Sequence, residues 1–175
     1  MAELPKLTFV LGGASSGKSA FAEGLVVATG APRVYVATSQ VYDDEMAAKV
    51  RDHVAARGAD WHTVEEPLDM AKALGQVQAD QVVLLDCASM WLTNHMMAEN
   101  DLAAEAEALI AALVACEGRV VVVSNEVGMG IVPDNALARR FRIAQGKLNQ
   151  RLAEAAGLAV FVIAGLPQVL KGDLP

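Results

Sequence analysis

The chain is short of aromatic residues, of cysteine and of positive charge. Phenylalanine, tryptophan and tyrosine together make up 5% of its 175 residues, and it contains only 2 cysteines. Its 14 lysines and arginines are outnumbered by 21 acidic residues, which gives a formal net charge of -7. An acidic balance argues against a protein whose whole surface binds nucleic acid, although a local basic site stays possible. We therefore expect no nucleic-acid partner.

The two cysteines, Cys87 and Cys116, lack the spacing of metal ligands or of a redox CxxC pair. Both adjoin apolar stretches, so we interpret them as reduced, buried, small apolar residues of a cytoplasmic chain. The first apolar run, residues 7–11, is too short for a signal peptide core or for a membrane span. We expect no membrane span and no targeting segment.

Short, continuous apolar runs recur along a chain that is 54% apolar; they cover residues 7–11, 34–37, 82–85, 120–123 and 160–164. Runs of this kind are typical of strands that are covered on both faces, as in a parallel sheet. Segments with helical composition alternate with them, at residues 18–29, 43–57, 68–78, 102–116 and 135–156. The order predicts a doubly wound α/β domain whose ligands bind beyond the carboxyl ends of the strands.

The chain shows no repeat and no linker that would divide it, so we expect one domain over residues 1–175. Its least regular part is residues 87–101. A loop of that length inside a compact domain is usually functional or mobile. His95 lies within it, but its spacing indicates no particular role.

A glycine-rich phosphate-binding motif follows the first predicted strand. Its sequence fits GxxxxGK[ST] and reads Gly12-Gly13-Ala14-Ser15-Ser16-Gly17-Lys18-Ser19. The glycines let backbone amides turn towards phosphate oxygens, Lys18 can neutralise the β- and γ-phosphates, and the Ser19 hydroxyl can join the coordination shell of Mg²⁺. A strand before and a helix after are the context that the motif needs. We expect a P-loop nucleotide-binding fold with a mostly parallel central sheet flanked by helices.

Asp86 ends the apolar run 82–85, where a carboxylate for the metal of phosphoryl transfer is expected. The alternative is an ordinary aspartate that caps the next segment. We favour the metal role, with Ser19 and Asp86 as ligands of Mg²⁺.

One face of the predicted helix 43–57 is polar. Glu45, Lys49, His53 and Arg57 recur at every fourth residue and so share that face. Such a stripe is usually a solvated surface with pairs between successive turns. The functional alternative places Lys49 and Arg57 around a polyphosphate, with neutral His53 as a nucleophile. Spacing by itself favours the solvated surface.

Six blocks of the sequence resemble one enzyme family. After the glycine-rich motif come Tyr35-Val36-Ala37-Thr38-Ser39, then Asp43-Asp44-Glu45-Met46 with His53 and Arg57, then Trp61-His62-Thr63-Val64-Glu65, residues 86–94, and finally Ser124-Asn125-Glu126-Val127-Gly128-Met129-Gly130-Ile131-Val132-Pro133. In order and spacing they resemble the bifunctional adenosylcobinamide kinase and adenosylcobinamide-phosphate guanylyltransferase family. The similarity covers nearly the whole chain.

The resemblance implies two reactions in one protein. The γ-phosphate of ATP or GTP first moves to the hydroxyl of adenosylcobinamide, and GMP from GTP is then joined to that phosphate. It implies that His53 carries GMP covalently, that Lys18 is catalytic, and that the protein is a homo-oligomer, a trimer. It further implies that nucleotide contacts extend beyond the glycine-rich motif to Ala37, Thr38, Ser39, Val54, Ala55, Ala56, Arg57, Glu65 and Asp86.

Two positions depart from the family pattern. Many members have arginine where this chain has Ser15, so one cation near the phosphates is absent or is supplied from elsewhere. Members also often have proline where Gly58 stands here, and glycine loosens the exit of a helix.

The block 124–133 follows an apolar strand, and Gly128 and Gly130 permit tight turns in it. It is either a structural loop or a contact for substrate or nucleotide, for which Asn125 and Glu126 are the best polar candidates. Two other functions compete with the two-step enzyme: a kinase with one activity, and a nucleotide-sensing regulatory protein without turnover.

Overall fold

The computed structural model describes residues 3–40 and 60–175. Within these residues the strands are β1 Leu7–Gly12, β2 Arg33–Ala37, β3 Trp61–Glu65, β4 Val82–Asp86, β5 Arg119–Asn125, β6 Leu158–Ile163 and β7 Leu166–Lys171. The helices are α1 Lys18–Ala28, α2 Met70–Leu74, α3 Ala88–Met97, α4 Leu102–Ala115 and α5 Ala136–Ala155. The predicted helix 43–57 lies outside the described residues.

The seven strands form one sheet in the order β3-β2-β4-β5-β1-β6-β7. All neighbours are parallel except β6 and β7, which are antiparallel. The carboxyl ends of β1, β4 and β5 therefore meet at the same edge, with β5 in the middle. This is the edge at which ligands of parallel α/β sheets bind.

Apolar side chains cover both faces of the sheet, as the continuous runs predict. In β5, Val120 and Val122 belong to the cluster that includes α2, α4 and α5, whereas Val121 and Val123 belong to the cluster that includes α1. Successive residues of a strand point to opposite faces of the sheet, so a strand that is covered on both faces needs apolar residues throughout. We call the two faces the α1 side and the α5 side.

The five predicted strands and the helices α1, α4 and α5 are confirmed, with ends shifted by at most two residues. His62 lies on the short strand β3, which contains no continuous apolar run. The helix predicted over residues 68–78 is present only as the five residues of α2. In the described part of the chain, no helix is both long and apolar enough to cross a bilayer.

One prediction about irregular structure was wrong, and one strand was not predicted. The segment 87–101 is mostly the helix α3, whose polar residues Ser89, Asn94 and His95 are buried rather than solvated. The C-terminal region adds the strand β7, in which all six residues are exposed. It lies at the edge of the sheet, where Pro167 costs no ladder bond on the open side.

Candidate active site

The glycine-rich motif forms a loop between β1 and α1, which we call the phosphate loop, residues 12–19. Gly17 has φ +89°, a conformation that favours glycine, and a Cβ there would lie 3.0 Å from the Gly165 Cα. A Cβ on Gly12 would lie 2.3 Å from the Ser16 Oγ and 2.8 Å from the Val162 carbonyl oxygen. Glycine is thus required at both positions by the tight path of the loop.

The first turn of α1 is open to an anion. No side chain caps this helix, and no acidic residue lies in its first turn. The free amide groups and the positive end of the helix dipole therefore face the phosphate loop. The Ser16 Oγ is buried and has no hydrogen-bond partner among the described residues. A phosphate oxygen would supply the partner that this hydroxyl lacks.

The Lys18 ammonium group lies across the phosphate loop. Its Nζ donates to the Gly13 carbonyl oxygen at 3.0 Å. The bond holds the charge above the loop amides, where the β- and γ-phosphates of a nucleotide are expected. Lys18 can exchange this neutral acceptor for a charged phosphate oxygen, which accepts a stronger bond.

Asp86 ends β4, as predicted, and is half-buried. It pairs with Ala37 of β2 on one side and with Val123 of β5 on the other. Val82 and Leu84 belong to the α1-side cluster, so the alternation of the strand directs Asp86 to the side of the phosphate loop.

A fully buried threonine holds the residue after Asp86 in place. The Thr38 hydroxyl donates to the Cys87 carbonyl oxygen at 2.7 Å and accepts from the Cys87 amide at 3.0 Å. The Thr38 carbonyl oxygen in turn accepts from the Asn94 side chain at 2.7 Å. The ends of β2 and β4 and the helix α3 are thereby joined.

The thiol of Cys87 is buried beside Asp86. Burial and, secondly, the negative charge of Asp86 raise its pKa to about 11, and Lys18 opposes this only weakly. Burial also raises the pKa of the Cys116 thiol. Both cysteines are free and buried, which confirms the interpretation that they are reduced, small apolar residues.

A polar network fixes the end of β5 on the α5 side. The Ser124 hydroxyl donates to the Asn149 Oδ1 at 2.7 Å and accepts from the Gln145 Nε2 at 2.9 Å. The Ser89 Oγ accepts the Asn125 backbone N–H at 2.9 Å, and the Asn149 Nδ2 donates to the Asn125 carbonyl oxygen at 3.1 Å. The sequence did not lead us to predict that Ser89, Gln145 and Asn149 belong to this network. The available signal was that they are polar residues on otherwise apolar helix faces.

The loop that follows β5, residues 126–134, is folded on itself. The Glu126 carboxylate accepts the backbone N–H groups of Gly128, at 2.5 Å, and of Met129, at 3.2 Å. Arg142 donates to the carbonyl oxygens of Gly128 and Gly130. Glu126 therefore shapes its own loop, and of the two polar candidates in this block Asn125 has the more available side chain.

The family of the chain follows from comparison with known proteins. A model of the family "Cobinamide kinase / cobinamide phosphate guanyltransferase" matches residues 8–170. The chain belongs to this family. It is 42% identical to the bifunctional adenosylcobalamin biosynthesis protein CobP of Pseudomonas aeruginosa, covering 94% of this chain and 96% of that protein. It is 43% identical to CobU of Salmonella typhimurium, covering 94% and 99%.

Solved structures resemble the fold. The flagellar accessory protein FlaH from Methanocaldococcus jannaschii has a TM-score of 0.56 at 12% identity, with 98% of this chain and 80% of that chain covered. A KaiC-like protein from Pyrococcus horikoshii has a TM-score of 0.51 at 15% identity, with 90% and 71% covered. These likenesses, together with the strand order, confirm the expected P-loop fold.

The other predicted site residues of this family member lie at two places. Ala37 ends β2, Thr38 and Ser39 follow it, and Glu65 ends β3, so all of them stand at the same edge of the sheet as Asp86. The nucleotide contacts implied at Val54, Ala55, Ala56 and Arg57, and the nucleophile His53, lie outside the described residues, as does Gly58.

The two described histidines have different surroundings. His62 is exposed on β3. His95 is buried in α3, where its Nδ1 lies 2.9 Å from the Asn100 side-chain nitrogen and its Nε2 lies 3.3 Å from the Leu68 carbonyl oxygen. These two partners orient the ring, and the Glu105 carboxylate lies 3.7 Å from Nδ1. His95 is thus a satisfied core histidine that holds the segment after β3.

The segment after β3 also contains Glu66, whose carboxylate accepts several hydrogen bonds. Burial by itself would raise the pKa of Glu66, but hydrogen bonds from the backbone of Asp69 and Leu68, and from Lys72, outweigh burial and leave the pKa below its ordinary value. Glu66 is therefore a structural carboxylate that orders the turn before α2.

The residues at the sheet edge fit Mg²⁺ bound together with a nucleotide. Among the described residues, no group of three or more histidine, cysteine or acidic side chains could hold a metal ion by itself. Mg²⁺ keeps several waters and is usually bound by one or two protein oxygens together with phosphates. The Ser19 hydroxyl at the start of α1 and the Asp86 carboxylate at the end of β4 are oxygen donors of the suitable kind.

Proposed function

We propose that this chain phosphorylates adenosylcobinamide with ATP or GTP and then transfers GMP from GTP to adenosylcobinamide phosphate. The observation that carries the proposal is the phosphate loop with Asp86 at the carboxyl end of β4, on the same edge of the sheet, in a chain that aligns over 94% of its length with bifunctional relatives. The product of the two steps is adenosylcobinamide-GDP, an intermediate of cobalamin biosynthesis.

In the first reaction the hydroxyl oxygen of adenosylcobinamide forms a bond to the γ-phosphorus. The bond from that phosphorus to the β–γ bridging oxygen breaks, the nucleoside diphosphate leaves, and the hydroxyl proton passes to solvent. Lys18 and the amides at the start of α1 stabilise the charge that the phosphoryl group and the leaving oxygen share. No protein nucleophile is needed for this step.

In the second reaction a nitrogen of His53 attacks the α-phosphorus of GTP and pyrophosphate leaves. The phosphate of adenosylcobinamide phosphate then attacks the same phosphorus, and the bond to His53 breaks. A covalent intermediate of this kind divides one difficult displacement into two easier ones. The role of His53 rests on the family resemblance, and the role of Lys18 on the geometry of the phosphate loop.

Mg²⁺ bound with the nucleotide supplies charge neutralisation for the phosphates in both steps. Ser19 and Asp86 would hold it, with phosphate oxygens and waters as the other ligands. Thr38 keeps the end of β4 in register through its two bonds to Cys87.

We also propose a homo-oligomer, a trimer by resemblance, that works in the cytoplasm where ATP and GTP are available. The exposed edge strand β7, with Leu166 and Leu170 more than half exposed, supports an interface between copies. Sedimentation velocity at several concentrations would give the oligomeric state.

Labelled GTP tests the proposed function. The protein is incubated with GTP that carries label at either the α- or the γ-phosphate, with and without adenosylcobinamide, and both protein and corrinoid are then separated and counted. We expect γ-label on the corrinoid, α-label on the protein without corrinoid, and both labels on the final corrinoid product. γ-label alone would indicate a kinase with one activity, and no transfer at all would indicate a nucleotide-sensing protein.

A further inference from the structure

Asn125 ends the strand that separates the phosphate loop from Asp86. Gly12 pairs with Asn125 on one side of β5, and Asp86 pairs with Val123 on the other. Because the three strands are parallel, their carboxyl ends meet at one edge of the sheet. Asn125 therefore lies between the two elements on which the proposed reactions depend.

The Asn125 side chain is on the α1 side of the sheet. Val121 and Val123 belong to the α1-side cluster, and alternate residues of a strand share a face. The Asn125 Nδ2 donates to the Cys87 Sγ at 3.9 Å, and Cys87 belongs to the same cluster. The charges of Lys18 and Asp86 both act on the Cys87 thiol. The amide of Asn125 is thus in the same neighbourhood as these two charges.

The backbone of Asn125 is fixed, whereas its amide is available. The Ser89 Oγ holds its N–H and the Asn149 Nδ2 holds its carbonyl oxygen. Within residues 3–40 and 60–175, the side-chain amide makes only the long contact with the Cys87 sulfur, which is a weak acceptor. A phosphate oxygen is a stronger acceptor and can replace the sulfur without any movement of the backbone.

We propose that Asn125 is a catalytic residue of the kinase reaction, in which its Nδ2 donates to a non-bridging oxygen of the γ-phosphate. The phosphate loop holds the β- and γ-phosphates around Lys18, so the phosphate beside Asn125 is the transferred one rather than the α-phosphate. A donor that is fixed before the reaction lowers the barrier where charge develops on the phosphoryl oxygens. Ser89 and Asn149 are positioning residues that act through Asn125.

This inference rests on the proposed function, and the two can fail separately. If wild-type protein does not phosphorylate adenosylcobinamide, the proposed function is wrong. If wild-type protein does so and Asn125 variants behave like it, only the role of Asn125 is wrong.

The test compares Asn125→Ala and Asn125→Asp with wild-type protein in two assays, the steady-state phosphorylation of adenosylcobinamide and the labelling of the protein by α-labelled GTP. We expect Asn125→Ala to lower kcat of phosphorylation about 100-fold, as the loss of one transition-state donor does elsewhere, with KM for the nucleotide changed less than about threefold. Asn125→Asp has the same shape without the donor and adds a negative charge, so its kcat is expected to be lower still. Labelling of the protein should continue in Asn125→Ala.

Asp101→Ala is the control for a general loss of stability. It removes the side chain that accepts from the Ala103 and Ala104 backbone amides at the start of α4, away from β5. We expect it to lower the melting temperature and to keep wild-type kcat. A kcat within twofold of wild type in Asn125→Ala would overturn the assignment. If phosphorylation and protein labelling fell by the same factor and the melting temperature also fell, Asn125 would have a structural role. That result would overturn the assignment as well.

Discussion

The Thr38 hydroxyl makes hydrogen bonds with both backbone groups of Cys87, at 2.7 Å to the carbonyl oxygen and at 3.0 Å from the amide nitrogen. Both residues are buried, and Cys87 follows directly after Asp86. One side chain directly after β2 thus holds the backbone next to the carboxylate at the end of β4.

Replacing Thr38 tests this relationship. Thr38→Val keeps the shape of the side chain but leaves the buried Cys87 N–H unpaired, which costs about 1–3 kcal/mol of unfolding free energy. The Cys87 carbonyl oxygen loses one of its two hydrogen bonds and keeps the one from the Trp91 backbone N–H. We also expect a higher Mg²⁺ concentration for half-maximal activity, because Asp86 is less well held. Urea unfolding and an Mg²⁺ titration of the kinase rate measure the two effects.

Thr38→Ser is the matched control, since it retains the hydroxyl. It should keep the Mg²⁺ dependence of wild-type protein. A Thr38→Val protein with unchanged stability and unchanged Mg²⁺ dependence would show that the hydrogen bonds between Thr38 and Cys87 have no effect on Asp86.

Lys18 is expected to serve both reactions, because the chain presents one phosphate loop for a triphosphate that is attacked at the γ-position in one step and at the α-position in the other. Lys18→Ala should lower both rates by about 100-fold or more, as loss of a fixed charge at a phosphoryl group does. Phosphorylation and protein labelling are measured in parallel.

The control for Lys18 is Lys147→Ala. Lys147 is exposed on α5 and makes no hydrogen bond or ion pair with any part of the chain that the structure describes. Its loss should leave both rates at wild-type level. Wild-type speed of either reaction in Lys18→Ala would mean that the two reactions do not share the loop.

The position of the phosphate loop between β1 and α1 could be predicted from sequence, because its motif occupies eight consecutive residues. The helix α3 could not. Ser89 and Asn94 favour loops when taken alone, since their side chains compete for the backbone. In the fold Ser89 bonds instead to β5 and Asn94 to the Thr38 carbonyl oxygen, while the His95 ring contacts the Leu68 carbonyl oxygen. Tertiary hydrogen bonds thus override the local preference.

The surroundings of Asn125 show the same limit. Ser89 and Asn149 reach it across 36 and 24 residues of chain, and no local pattern links such positions. The strand β7 was missed for another reason, since its six exposed residues include a proline and give no apolar run. Position at the edge of the sheet is what makes that sequence acceptable as a strand.

The raised pKa of Cys87 predicts a thiol that does not react in the native protein. At pH 8 a group with a pKa of about 11 is ionised to roughly one part in a thousand, and only the thiolate is nucleophilic. In a Cys116→Ser protein, which isolates Cys87, we expect no reaction with Ellman's reagent until denaturant is added. Rapid native labelling would contradict the burial of Cys87.

The same shift predicts a loss of stability at high pH. The folded pKa of Cys87 lies above the ordinary value of 9.0, so the folded protein binds the proton more tightly than the unfolded chain does. The resulting stabilisation is complete below pH 9 and is lost as the pH rises towards 11, at about 1.4 kcal/mol per pH unit. Cys87→Ala compared with wild type in urea at pH 8 and pH 10.5 isolates this contribution.

We expect His53 to separate the two proposed activities. The family resemblance assigns it as the residue that carries GMP, whereas γ-phosphoryl transfer to an alcohol needs positioning and neutralised charge but no protein nucleophile. His53→Ala should therefore lose the labelling of the protein by α-labelled GTP and the formation of adenosylcobinamide-GDP, while it continues to phosphorylate adenosylcobinamide. The adduct of wild-type protein should be labile to acid and stable to alkali, as a bond from phosphorus to an imidazole nitrogen is.

His62→Ala provides the matched control, because this imidazole is exposed on β3 and can be removed without opening the core. It should label as wild-type protein does. The decisive measurement is the label that stays with each denatured protein after incubation with α-labelled GTP. If His53→Ala retained as much label as His62→Ala, another residue would have to carry GMP. Phosphorylation of adenosylcobinamide by the His53→Ala protein would still show that the kinase reaction does not need His53.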